Sequence, residues 1–340
     1  MADIEPTKKH PKLPCSTKLL ISAHSLATSI CFRSDGTVNR RLLRLLYPRV
    51  SAPITTVVDG TPVSSSDVQV EASRDVWFRL FVPDVDKGAS SSEEEKQSLP
   101  LIVYFHGGGF TSLSPDLKVF HNLCCRFAAT VPAVVASVNY RLAPEHRYPC
   151  AYDDCFDALK FIDAKNYAVF PPITDFTRCF LAGDSAGGNI AHHISVRALN
   201  SVTDFERLNL AGQLSLQPFF GGEERTESEL RLRKATLLTL EDTDRMWRLF
   251  LPDGTNRDHA TAHVFEEELP EKFPRTLLIV GGFDLLQDWQ RKYCERLRKF
   301  GAEVKVVEYP NAIHGFYSFA ELPESAMLLK EIKDFMQTKT

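Results

Sequence analysis

The chain has no apolar run long enough to span a bilayer, which excludes a membrane-spanning helix. Its first ten residues, Met1-Ala-Asp-Ile-Glu-Pro-Thr-Lys-Lys-His10, lack the apolar stretch of a secretory signal, so a cytoplasmic location is expected. No Cys-x-x-Cys pair occurs. The eight cysteines (15, 31, 124, 125, 150, 155, 179 and 294) are scattered, so reduced thiols are expected rather than a zinc site or a disulfide framework. An excess of basic charge is also missing: 40 Lys and Arg stand against 44 Asp and Glu, a net charge of −4, and no field favours nucleic acid. Neither glycine-rich stretch matches G-x-G-x-x-G or a phosphate loop with its lysine. There is no internal repeat. The sequence therefore implies no metal, no redox cofactor, and no nucleic-acid or membrane partner, and it leaves oligomeric state open.

What is present is an ordinary globular composition, 44% hydrophobic and 25% charged, in 340 residues. Residues 1–14, with Pro6, Pro11 and Pro14, read as a loose tail. Helical spacing runs from Thr17 to Cys31. A basic, leucine-rich helix follows at Val38–Tyr47; such a segment could meet a membrane or a partner helix, but packing on its own domain is the simpler expectation. Strands are predicted at Asp67–Ala72, Val76–Val82 and Leu101–Phe105, with a solvated connection, Gly88–Lys96, before the last. Further strands at Ala133–Val138, Cys179–Ala182, Leu210–Leu216, Thr276–Val280 and Glu303–Tyr309 alternate with helices near 117–130, 151–165, 188–200, 285–301 and 323–337. That alternation predicts an α/β fold with a mostly parallel sheet covered on both faces. Only the first strands, with no helices between them, should be antiparallel. The rhythm breaks between Pro218 and Phe273, where a charged stretch (Glu223–Arg233) and a helix near Glu241–Leu251 form an excursion long enough to be a lid or pocket wall.

The chemistry gathers at strand ends. Cys179–Ala182 breaks into Gly183-Asp-Ser-Ala-Gly187, a G-x-S-x-G turn between strand and helix. Such a turn strains the serine and aims the following amide toward developing negative charge. By itself it could equally be a structural turn. His106-Gly-Gly-Gly-Phe110 follows directly on another strand, and its glycines let backbone N–H groups converge on one point. Gly108 and Gly109, with Ala186, are the candidate oxyanion donors. His106, Gly107, Gly183 and Gly187 support the two motifs, His106 by bonding within its loop. Two later strands end in Gly281-Gly-Phe-Asp284 and Pro310-Asn-Ala-Ile-His314, which presents an acid and a base at the carboxyl edge of the sheet. Each has a bland alternative: Asp284 as a helix cap, His314 as a loop histidine. Asp288, one turn beyond Asp284, is the reserve acid, and Asp184 is expected to shape the turn. His192 and His193, adjacent on one helix, should face different sides and make no metal pair. Cys124 and Cys125 read as packing residues.

The order Ser185, Asp284, His314 is that of α/β-hydrolases. His106-Gly-Gly-Gly with Gly183–Gly187 resembles the hormone-sensitive-lipase group of that fold. Asn139-Tyr-Arg-Leu-Ala-Pro-Glu-His-Arg-Tyr148 with Tyr152-Asp-Asp154 resembles its plant carboxylesterase branch. The resemblance runs from about residue 16 to the end. It implies one α/β-hydrolase domain over 1–340, an eight-stranded sheet, and a helical cap from about 15–47 and 219–272, with Trp247 helping to set the pocket's size. It also implies a serine carboxylesterase acting on short-acyl or small-molecule esters through Ser185, His314 and Asp284. Arg141 and Glu145 are taken as structural ion-pair residues. The branch includes gibberellin receptors, whose cap Thr239–Trp247 and Asn256–His259 resemble. Those receptors replace the histidine of the triad with an aliphatic residue, end the glycine motif in serine, and carry an arginine where Thr243 stands; here His314 and Gly109 are present. An esterase-like eliminase or cyclase is a third reading.

Overall fold

Strand β4 (Leu99–Phe105) is buried at every position, and β5 (Val134–Asn139) at all but its last. Apolar runs like these cover a parallel sheet's interior, where each fully buried Val, Ile or Leu contributes about 1.5–3 kcal/mol. The computed structural model describes residues 11–85, 98–201 and 204–338. The Gly88–Lys96 connection and most of the 1–14 tail lie outside the described residues.

Around β4 and β5 stand β1 (Ile54–Val58), β2 (Thr61–Glu71), β3 (Val76–Pro83), β6 (Thr174–Asp184), β7 (Leu210–Leu216), β8 (Thr276–Phe283) and β9 (Val304–Ile313). They form one sheet in the order β1-β2-β3-β5-β4-β6-β7-β8-β9. Pairing is antiparallel from β1 through β3 to β5 and parallel from β5 to β9. The sheet thus has nine strands where eight were expected. The added strand is β1, an edge ribbon with no buried residue, whose sequence offers no apolar face to detect.

Helices α3 (Lys118–Thr130) and α9 (Pro323–Gln337) cover one face, where Phe127, Ile332 and Phe335 meet Ile102 and Val135 of the sheet. Helices α4 (Cys150–Val169) and α5 (Ala186–Asn200) cover the other through Leu159, Ile162, Ile190 and Ile194. Beside them α8 (Gln287–Lys299) packs Trp289, Tyr293 and Leu297 on β8. Four further helices are α1 (Cys15–Cys31), α2 (Arg40–Leu46), α6 (Glu227–Arg231) and α7 (Leu240–Phe250), of which α7 joins the α4–α5 core through Leu240, Trp247 and Phe250. Capping boxes at Thr226–Glu229 and Thr239–Asp242 start α6 and α7. Among the described residues no helix is long and apolar enough to cross a membrane, and all eight cysteines are free, six of them buried.

Candidate active site

Strand β6 ends at Asp184 and α5 begins at Ala186, so Ser185 alone makes the turn. Its backbone has φ 52° and ψ −117°, a region that costs a side-chain-bearing residue about 1–3 kcal/mol. Neighbours hold it there. The Ser185 N–H donates to Leu216 O at 2.9 Å, and its carbonyl accepts from Gly188, Asn189 and Phe219. A Cβ on Gly187 would lie 1.9 Å from Phe105 O, so only glycine lets α5 start against β4.

The loops after β8 and β9 bring the acid and base to this turn. His314 Nε2 lies 3.0 Å from Ser185 Oγ, and its Nδ1 lies 2.9 Å from Asp284 Oδ2. All three residues are buried. Asp284 also accepts from Leu286 N–H at 2.9 Å and from Gln290 Nε2 at 2.9 Å. It therefore fastens the turn that leads into α8 and faces the histidine at once, but it is not the helix cap, since Leu286 holds that position without a side-chain bond. Gln217 holds the His314 loop from both sides, donating to Ile313 O (3.2 Å) and accepting from Gly315 N–H (2.8 Å). Sequence reasoning missed Gln217; its only signal was a polar residue directly after an apolar strand.

The glycine loop is fastened to the serine turn by Asp184. This buried carboxylate accepts from Tyr104 OH (2.5 Å), Gly107 N–H (2.8 Å) and Tyr317 OH (3.2 Å). Burial outweighs these bonds and pushes its pKa up to about 6. So Asp184 does more than shape its own turn: it sets the distance between the two motifs. Gly108 (φ 108°) and Gly109 (φ 60°) take conformations that favour glycine, and a Cβ on Gly109 would meet Met246 Sδ at 2.1 Å. Ala186, first residue of α5, has an N–H with no intrahelical acceptor. His106 stacks on Tyr140 at 4.3 Å, and its Nδ1 lies 2.8 Å from Gly107 O. Burial lowers its pKa to about 4, so it is neutral and structural.

Ser185, His314, Gly108 and Gly109 open on a cavity of about 840 Å³ with largely apolar walls. Leu20, His24, Thr28 and Phe32 of the α1 segment and Tyr47 after α2 line it. From 219–272 only Leu237, Leu238 and Met246 reach it among the described residues. Trp247, expected at the pocket, is instead buried behind it, stacked on Phe219 at 4.3 Å; the helical turn aims its neighbour Met246 inward.

Other expectations resolve differently. Asp288 accepts from Ser228 N–H at 2.8 Å and pairs with Arg291, so it serves α6 rather than the histidine. Arg141 pairs with buried Asp154 at 2.8 Å, and Glu145 pairs with Arg40. Thr243 is buried and bonds Leu240 O. Cys124 and Cys125 are buried in the core, as read. His192 and His193 do not diverge: their rings stand 5.0 Å apart, both facing the segment that follows α7.

Comparison with known proteins agrees with this architecture. A family model of the alpha/beta hydrolase fold matches residues 102–318. A gibberellin receptor of Arabidopsis thaliana is 39% identical over 337 residues, 96% of this chain and 95% of the receptor. Carboxylesterase 20 of Arabidopsis thaliana is 38% identical over 293 residues, 83% of this chain and 86% of that protein. Among solved structures, a hyperthermophilic esterase of Pyrobaculum calidifontis matches with a TM-score of 0.73 at 24% identity, covering 96% of this chain and 98% of that one. At that identity the likeness speaks for the fold alone.

Proposed function

Because the chain belongs to the α/β-hydrolase fold family, in the branch of plant carboxylesterases and gibberellin receptors, we propose that it is a serine carboxylesterase. The observation that carries the proposal is the unbroken chain of contacts from Ser185 Oγ through His314 to Asp284. In this reading His314 Nε2 takes the Ser185 proton as Oγ attacks the ester carbonyl, while Asp284 fixes the tautomer and stabilises the imidazolium. The Gly108, Gly109 and Ala186 amides receive the oxyanion, where removing one such donor typically costs a factor of about 10²–10³. His314 then protonates the leaving alcohol, and water, activated by the same histidine, releases the acid. The apolar cavity suits short-acyl esters or small-molecule conjugates whose other half is largely hydrocarbon. The segments 15–47 and part of 219–272 act as its cap. A reducing, cytoplasmic setting belongs to the same proposal and is supported by the free thiols.

The test is turnover of a short-chain nitrophenyl ester. We expect wild type to be active, and Ser185→Ala and His314→Ala to lose a factor of about 10⁴ or more in kcat. An inactive wild type, or undiminished Ser185→Ala, overturns the proposal. One observation favours a second reading: the receptor relative matches over 96% of this chain, more than Carboxylesterase 20 does at 83%. Saturable gibberellin binding by calorimetry, without ester turnover, would establish a receptor instead.

A further inference from the structure

Outside the cavity, one cluster of metal-ligating side chains stands on the far side of α5. His192 and His193 project from that helix toward Glu267, in the irregular stretch after α7, and one donor atom from each residue lies within 4.8 Å of the others. His192 is buried. Its Nδ1 faces Tyr293 OH at 3.0 Å, while its Nε2 has no hydrogen-bond partner. Either tautomer leaves that atom unsatisfied, and an unmade bond to a buried polar group costs about 1–3 kcal/mol. His193 Nε2 lies 3.2 Å from Thr261 O, which as a carbonyl only accepts; the proton is thus on Nε2 and the Nδ1 lone pair is left over. A backbone carbonyl or hydroxyl behind each imidazole is the outer support usual for metal-bound histidines. Arg296 donates to the backbone carbonyl of Glu267 rather than to its carboxylate.

We propose that His192, His193 and Glu267 bind one divalent transition-metal ion of the zinc type, fastening the segment after α7 to α5. Two imidazoles and a carboxylate suit Zn²⁺ or Co²⁺ and are a poor set for Mg²⁺ or Ca²⁺. Tetrahedral bonds of about 2.0–2.1 Å place ligand atoms about 3.4 Å apart. Closure therefore asks for about an ångström of movement, which half-buried, loop-borne Glu267 can supply, and water fills the fourth position. The site is separate from Ser185 and takes no part in the proposed ester chemistry; its role is to hold the excursion.

The full-length protein, stripped with a chelator and dialysed, is titrated with Co²⁺ and then with Zn²⁺. We expect one equivalent of Co²⁺ to give the intense visible bands of a four-coordinate ion, Zn²⁺ to abolish them, and Zn²⁺ to raise the melting temperature. Glu267→Gln and His193→Gln should each weaken binding about tenfold or more. His192→Asn should do the same, but its burial puts its folding at risk, so the two half-buried variants decide. Their circular dichroism in chelator should match wild type. No binding, octahedral Co²⁺ spectra, or an affinity indifferent to Glu267→Gln and His193→Gln (an ion held by cysteines or other histidines) overturns the proposal.

Discussion

Asp184 satisfies three donors from three separate elements: β4, the glycine loop and the turn after β9. Replacing it with Asn keeps the shape, and the Tyr317 hydroxyl can reverse to accept from the new amide nitrogen, but Tyr104 and Gly107 then donate to a neutral amide oxygen in place of a carboxylate. Losing that charge weakens the bond to Gly107 N–H and loosens the loop bearing Gly108 and Gly109 relative to Ser185. We expect Asp184→Asn to lower kcat by roughly tenfold or more with KM little changed, because the oxyanion forms only in the transition state. Steady-state kinetics on a nitrophenyl ester checks it; a pure KM effect would count against this positioning role. Motif spacing indicated that an acid beside the serine shapes the turn. That its partners come from residues 104, 107 and 317 was invisible, since such distances are set by strand order.

Helix α2 illustrates the same limit for an element. Its leucines suggested an apolar face buried on its own domain, yet Leu43 alone is buried, while Leu45 is 82% exposed. Arg40 does the docking: its guanidinium donates to Thr111 O and Ala143 O and pairs with Glu145, all close to the glycine loop. Two buried carbonyls and a carboxylate use its planar fork in a way that lysine cannot. We expect Arg40→Ala to loosen α2 and the wall that includes Phe32 and Tyr47. KM for an ester with a bulky apolar alcohol should rise several-fold, and kcat should fall less, because the wall binds ground and transition states alike. A kcat loss with unchanged KM would instead place Arg40's effect on the glycine loop.

Across the whole molecule, buried and half-buried histidines set the response to acid. Burial holds His106, His121 and His193 at about 4, and it lowers His192 well below its ordinary value. For each, the unfolded chain takes up a proton near pH 6.5 while the folded one resists it well below that, so acidification through this window favours unfolding. Asp184 works the other way: raised to about 6, it is protonated in the folded state before the unfolded carboxyl is, which stabilises the fold as pH falls from about 6 toward 3.8. Burial lowers His24 and His259 as well and raises Glu267, so six histidines stand against two carboxyls and the balance is a net loss. We expect the urea midpoint to fall steadily from pH 7 to 4.5, and Asp184→Asn to steepen that fall by removing an opposing group. A midpoint flat across the range would mean that these side chains gain water before the chain unfolds.

The sequence by itself determined the strand–helix alternation, the parallel sheet and the residues of the candidate site, because periodicity, glycines at strained turns and chain order are local properties. It also indicated an excursion between 218 and 273. It did not reveal β1, which has no fully buried residue and so carries little pattern, nor the roles of Gln217 and Asp184, whose partners lie 77 to 133 residues away. Tertiary structure alone decided that His314 meets Ser185, that Met246 rather than Trp247 faces the cavity, and that His192 and His193 converge on Glu267. Each depends on a side chain's direction across packed elements, which no spacing along one element specifies.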